Sequence, residues 1–443
     1  MATVESQPRL ERSLKLWDLV FYGIILIQPT APMPLFGVVY NKAGGHVVTT
    51  VLIAMVAMIF TAFSYGRMAR AYPAAGSAYT YVGQSIHPAF GYVTGWSMLM
   101  DYILNPIICT IWCSKAAINI YPALPYEFWI FFFAGLFTML NLRGIKAAAR
   151  TNEALAVIML AVVAGFLGMA VKRLFHVPTS FLVPFYDPRT WSTGIILRGT
   201  SLAVLTYIGF DGISTLSEEV ENPRRNILLG TVLVCLITGI LSSIEVYFGQ
   251  LVWPVGQAFR DPDTAFVEVA GLAGGSFLYH VVNLTLLVAS VGSGMGGQTA
   301  AARLLYGMGR DNAIPKSFFG KISGKRHIPR NNVLFTGALI LAGSFVMTYE
   351  LGAELLNFGA FIAFMGVNAS VIAHYWIPRR ERGWSYLLPP AAGFLICFLI
   401  WLNLGTLTKI AGASWIAAGV AYGAWKTRGF KKELVRFEAP PEE

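Results

Sequence analysis

The sequence predicts an all-α integral membrane protein of twelve spanning helices, built as two inverted repeats of five with two helices appended. Three observations carry that expectation. Only 13% of the 443 residues are charged and 56% are apolar, against roughly 25% charged in an ordinary soluble domain. The apolar residues fall into twelve segments, each close to or above the ~20 residues that a spanning helix takes. The first and sixth segments are interrupted near their middles. This composition excludes a soluble enzyme, a disordered chain and a nucleic-acid-binding domain.

In chain order the apolar segments run over 15–39, 45–70, 88–120, 124–142, 152–174, 195–217, 226–253, 276–305, 331–349, 352–377, 386–405 and 408–426. Helix is expected in all of them, because a lone strand cannot satisfy its backbone in lipid. None shows the ten-residue alternation of a membrane barrel. No small-residue cleavage site follows the basic residues Arg9, Arg12 and Lys15, so the first span is expected to remain and to set the topology. The organisation expected is a short N-terminus (1–14), one membrane domain (15–427) and a C-terminal tail (428–443). Within the domain the first repeat spans 15–174, the second 195–377, and the appended helices 386–426.

The +10 net charge is a topology signal. With an even number of spans, both ends share one side. That side holds 25 of the 33 basic residues, among them Arg67, Arg70, Arg143, Arg224, Arg225, Arg379 and Lys431. The opposite loops hold seven, and Lys115 alone lies inside a span. The positive-inside rule places both termini in the cytoplasm. Cys109, Cys113, Cys235 and Cys397 all fall within spans, so no extracellular disulfide framework follows from them. They are read as small buried hydrophobes. No His-Glu-x-x-His, phosphate-loop or nucleophile-elbow motif is present, and no cofactor is expected.

The first span carries Gln28-Pro29-Thr30-Ala31-Pro32. Each proline removes a backbone donor and clashes with the preceding turn, so the middle of this span is expected to unwind; a packed kink is the alternative. Unwound backbone at membrane depth is tolerated only inside protein or beside a water-filled cavity. The sixth span carries Tyr207-Ile208-Gly209-Phe210-Asp211-Gly212, with an acid between two glycines. A charge at this depth is costly and marks function or a paired structural site. Interrupted helices at matching places in two halves are the sequence signature of a transporter site between inverted repeats.

Besides Asp211, mid-span charges occur at Asp101, Lys115 and Glu245. Asp101 and Asn105 stand at i, i+4 and face one way, offering an acid and an amide to an ammonium, or pairing Asp101 with a neighbouring helix. Lys115 is expected to snorkel outward. Glu245 in span seven is a candidate coupling group or a structural polar contact. Ser290 and Ser293, in the small-residue run of span eight, either allow close helix approach or supply hydroxyl ligands. Tyr207 and Phe210 are candidates to close over an amine by cation–π contact. Glu218, near Arg67, is a candidate for a cytoplasmic ion-pair gate or for solvated loop charge. The acidic excess favours a small cationic substrate, or a proton relay, over an anion.

Three motifs carry a family resemblance: Ser64-Tyr65-Gly66-Arg67 through Tyr72-Pro73-Ala74-Ala75-Gly76-Ser77-Ala78-Tyr79-Thr80-Tyr81; Gly209-Phe210-Asp211-Gly212-Ile213-Ser214 with Ser217-Glu218-Glu219; and Ala302-Arg303-Leu304-Leu305-Tyr306-Gly307-Met308-Gly309-Arg310-Asp311 with Ile314-Pro315. Together they resemble the amino acid-polyamine-organocation transporters, and among those the bacterial putrescine importers, over nearly the whole chain. The resemblance implies a proton- or gradient-coupled secondary transporter in a bacterial inner membrane. Its substrate, a cation or zwitterion, would bind between spans 1, 3, 6, 8 and 10. Two departures matter. Many amino acid members carry glycine-serine-glycine in the first break, to hold a substrate carboxylate, where this chain has Gln28-Pro29-Thr30. A lysine that acts in cation coupling in some members is matched here by Met159. The first departure favours a substrate without a carboxylate, such as a diamine. An intramembrane enzyme using Asp101 and Asp211, a channel and a transport-like sensor are the alternatives.

Overall fold

The computed structural model describes residues 14–72, 77–143, 149–176, 180–216, 220–310, 314–322, 328–377 and 383–429. Each of the twelve predicted segments coincides with helix. The α-helices are α1 (Leu16–Ile27), α2 (Phe36–Lys42), α3 (Val47–Ala71), α4 (Ser77–Ser85), α5 (Pro88–Ile120), α6 (Tyr126–Arg143), α7 (Ala149–Leu174) and α8 (Thr193–Ala203). They continue as α9 (Pro223–Val252), α10 (Ala265–Arg310), α11 (Lys316–Phe319), α12 (Arg330–Val346), α13 (Tyr349–Val371), α14 (Leu388–Leu402) and α15 (Thr406–Thr427). Eight helical stretches among the described residues are long and apolar enough to cross a membrane. The first predicted span is divided between α1 and α2, the ninth is the 17-residue α12, and α4 is a short helix that the apolar pattern did not announce.

The divisions have local causes. Before Pro29 the chain leaves the helical region: Gln28 takes φ 72°, ψ 131°, an uncommon conformation for a residue with a side chain. The chain then runs in turns to Phe36. In the sixth span α8 tightens into a 3-10 helix over Val204–Tyr207, breaks at Ile208 and Gly209, and resumes as a 3-10 helix over Phe210–Leu216. α10 is bent at Gly274–Gly275, where Gly275 has φ 72°. The predicted eighth span, starting at residue 276, begins immediately after that bend.

Packing joins the first half of the chain to the second. α3 lies along α9, α5 along α10, and α6 along α12, while α1 packs on α9 and on the 3-10 helix Phe210–Leu216. α15 is fixed to α5 by Trp96 and Trp415, whose rings stack at 5.1 Å and whose indole N–H groups each donate to the other's carbonyl. Large apolar side chains such as Phe21, Val157 and Leu395 point outward, as a surface facing lipid requires. On the side assigned as outer, Lys42 pairs with Glu350 at 2.6 Å and Glu354 at 3.2 Å, joining α2 to α13. Lys115, expected to reach outward, pairs with Asp261 at 3.0 Å and Asp263 at 2.6 Å.

Candidate functional site

The two breaks meet. Gly209 has φ +117°, a conformation closed to most side chains, and it lies against the backbone of Leu26 in the last turn of α1. A Cβ at Gly212 would stand 2.7 Å from Leu26 Cδ1, so Leu26 fills the space that these two glycines leave. Asn357 of α13 donates from Nδ2 to the carbonyls of Ser201 (2.6 Å) and Leu202 (3.4 Å). These carbonyls sit where α8 gives way to the 3-10 turn and the regular pairing of an α-helix ends.

At the junction the chain assembles two acids and a set of aromatic rings. Asp101 of α5 is only 9% exposed, and Asp211 is partly buried at the start of the second 3-10 helix. The two carboxyls lie within electrostatic reach of each other and of Tyr65 and Tyr102. The amides of Gly209, Asp211 and Gly212 lie close to the Asp211 carboxylate, and that of Gly212 also donates to the Gly209 carbonyl at 3.0 Å. Among the described residues no ion pair includes either acid. Phe210 packs edge-on against Tyr65, with ring centroids 5.4 Å apart, and lies 5.5 Å from Phe364 of α13; Tyr65 in turn meets Tyr81 of α4. The Tyr65 hydroxyl is fully buried and has no hydrogen-bond partner. Ser214 Oγ donates to the Asp211 carbonyl at 2.6 Å and lies 3.4 Å from Ser77 Oγ. The arrangement offers negative charge and aromatic faces together, the combination that attracts an ammonium group.

The other predicted residues divide into those near this cluster and those apart from it. Gln28 donates from Nε2 to the Ala289 carbonyl at 3.0 Å, tying the first break to the eighth span one residue before Ser290. Pro29 and Thr30 are buried beside it. Of residues 29–34, three are proline, and the amides of Ala31 and Met33 are already bonded to the carbonyls of Gln28 and Thr30. That leaves the Thr30 amide as the one donor of this stretch without a backbone acceptor. Asn105 accepts from Ser293 Oγ at 3.4 Å, joining α5 to α10 below Asp101.

Tyr207 turns the other way and donates to the Val51 carbonyl of α3 at 2.8 Å. Glu245 is fully buried on α9, with neither carboxyl oxygen bonded. Arg67 donates to the Ser385 carbonyl and lies over the Tyr386 ring at 4.6 Å. Its expected partner Glu218 lies outside the described residues, as do Pro73–Gly76, Ser217, Glu219 and Asp311 of the three motifs. Tyr65, Tyr81, Phe364 and Asn357 were not singled out from the sequence as site residues. Tyr65 and Tyr81 lay in the first motif, but nothing in their spacing ties them to an acid more than a hundred residues away.

Apolar helices, two of them broken close to a pair of acids, have the architecture of a membrane permease. The chain belongs to the amino acid permease family, whose model, described as "Amino acid permease", matches residues 19–429. It is 33% identical over 443 residues to the low-affinity putrescine importer PlaP of Escherichia coli (strain K12), covering 98% of this chain and 97% of that protein. It is 26% identical to the branched-chain amino acid permease BcaP of Lactococcus lactis subsp. cremoris, covering 94% of each. It is 25% identical to the methylthioribose transporter of Bacillus subtilis, covering 93% of this chain and 92% of that one. Membrane transport of amino acids or polyamines is therefore the activity of the group to which it belongs.

Proposed function

We propose that this protein is a secondary transporter that carries a putrescine-like diamine across the bacterial inner membrane by alternating access, driven by a proton gradient. In this proposal twelve spans cross the membrane with both ends in the cytoplasm, and spans 1–5 and 6–10 form inverted repeats. Four matching pairs of that repeat, spans 1 and 6, 2 and 7, 3 and 8, and 4 and 9, pack on one another, which supports the arrangement. The observation that carries the substrate assignment is the Asp101–Asp211 pair, enclosed by Tyr65, Tyr102 and Phe210 and lacking any ion pair among the described residues. One substrate ammonium would lie between these carboxylates, with the rings excluding water around it.

A diamine is favoured over an amino acid because the stretch that would cradle an α-carboxylate is short of donors. Prolines remove three of its amides, two more are bonded internally, and the amides of the second break face Asp211. The similarity to a branched-chain permease keeps an amino acid carrier or exchanger as the second reading.

Purified protein in proteoliposomes should accumulate labelled putrescine against its gradient when an inward proton gradient is imposed, and should release it unchanged when the gradient is collapsed. Leucine should compete weakly. Gradient-independent leucine exchange with no putrescine uptake would replace the first reading by the second.

A further inference from the structure

Thr238, Ser242 and Glu245 stand on one face of α9 at i, i+4 and i+7, a stripe about 10 Å long. All three are buried, and among the described residues neither hydroxyl nor either carboxyl oxygen has a hydrogen-bond partner. Elsewhere on the same helix hydroxyls fold back onto the carbonyl one turn earlier: Ser243 bonds Gly239 at 2.7 Å and Thr231 bonds Ile227 at 2.9 Å. Thr238 and Ser242 do not take that partner, so their hydroxyls are turned away from their own backbone and into the bundle. Buried polar groups are paired in the great majority of cases. Three unpaired ones in register along one helix face call for a common explanation.

The surroundings of Glu245 narrow it. One turn further along, Gly249 lies against the fully buried rings of Phe36 in α2 and Phe266 in α10. Several ionisable groups on the neighbouring elements have partners of their own. The Tyr207 hydroxyl is bonded to Val51, Nε2 of His46 at the start of α3 to Thr190 (its Nδ1 has no partner among the described residues), Arg173 of α7 to the Leu272 carbonyl, and Glu268 of α10 to the amides of Arg260 and Asp261. Among the described residues no charged group lies within electrostatic reach of Glu245. A carboxylate here would have neither counter-charge nor donor, a costly state, whereas the protonated acid avoids most of that cost. One helical turn below Thr238, Cys235 lies within electrostatic reach of Asp211, so the stripe leads toward the level of the acid pair.

We propose that Glu245 holds the coupling proton at a site separate from the substrate acids, and that Ser242 and Thr238 relay it along α9. Glu245 takes one proton from water on the outer side and returns one to water on the cytoplasmic side, with no other bond changed. The substrate ammonium stays with Asp101 and Asp211. This inference rests on the proposed gradient-driven amine transport.

Two measurements on the full-length protein test it. The first needs no substrate. The infrared spectrum of purified protein should show the carbonyl stretch of a protonated, water-free carboxyl, and Glu245→Gln should lose that band; an unchanged band overturns the proposal. The second uses putrescine in proteoliposomes. Glu245→Gln should keep wild-type counterflow but lose about tenfold or more of gradient-driven accumulation, within the span of ordinary coupling free energies. Ser242→Ala, which removes only an unbonded hydroxyl, should slow accumulation and spare counterflow, and it carries the test if Glu245→Gln does not fold. Full accumulation in both variants, or loss of counterflow in folded Glu245→Gln, overturns the proposal. If wild-type protein moves no putrescine, the transport assignment fails while the infrared result still decides the proton site.

Discussion

The two broken helices, spans one and six of the proposed repeat, are built by opposite means. The first break is long and is made by prolines. It runs from Gln28 to Leu35, with little free backbone donor capacity. The second is short and is made by a glycine: only Ile208 and Gly209 leave the helical path, and the amides around Gly209 keep their protons and lie beside the Asp211 carboxylate, that of Gly212 also bonded to the Gly209 carbonyl. A proline break discards donors, while a glycine break keeps and redirects them. The second break thus keeps backbone donors beside a carboxylate of the protein's own, and the first is pinned through Gln28 to the eighth span. In the proposed transport, charge selectivity would be concentrated at the second break.

Substitutions at the two breaks should then differ in size. Gly209→Ala forces a side chain into φ +117°, a strain of about 1–3 kcal/mol. A Cβ there would make only ordinary contact with Leu26, so the protein should still fold. The amides facing Asp211 would be displaced, and putrescine uptake should fall by about tenfold or more, as such a strain implies. At the first break, Gln28→Ala removes one hydrogen bond to the Ala289 carbonyl, a loss of about 1 kcal/mol. Thermal unfolding should move down slightly, and uptake should change by about fivefold or less. Equal losses at the two breaks, read in the same uptake assay, would remove the distinction between a selective break and a mechanical one.

Much of the fold was legible because lipid leaves the backbone few options. Long apolar segments must be helices, and Pro29, Pro32, Gly209 and the Gly274–Gly275 pair each mark a place where the helical path is interrupted or bent. α4 was not legible, since a nine-residue helix of mixed polarity has no periodic signature long enough to read. At the site, Asp101 and Asp211 stood out because charge is rare at membrane depth. Their aromatic enclosure did not, because Tyr65, Tyr81 and Phe364 look like any other membrane aromatic until tertiary packing brings them to Phe210. Tyr207 shows the converse. It lies immediately before the break, yet its hydroxyl is turned to Val51.

The central claim is that Asp101 and Asp211 act together on one ammonium group. Titrating putrescine into purified protein by calorimetry, for wild type, Asp101→Asn, Asp211→Asn and the double variant, tests it most directly. Each single change should weaken binding by about 2–5 kcal/mol, as the loss of one partner in a buried charged contact does. The double variant should lose much less than the sum, because the two acids share one ligand. Losses that simply add, or a double variant that binds putrescine as wild type does, would contradict the account.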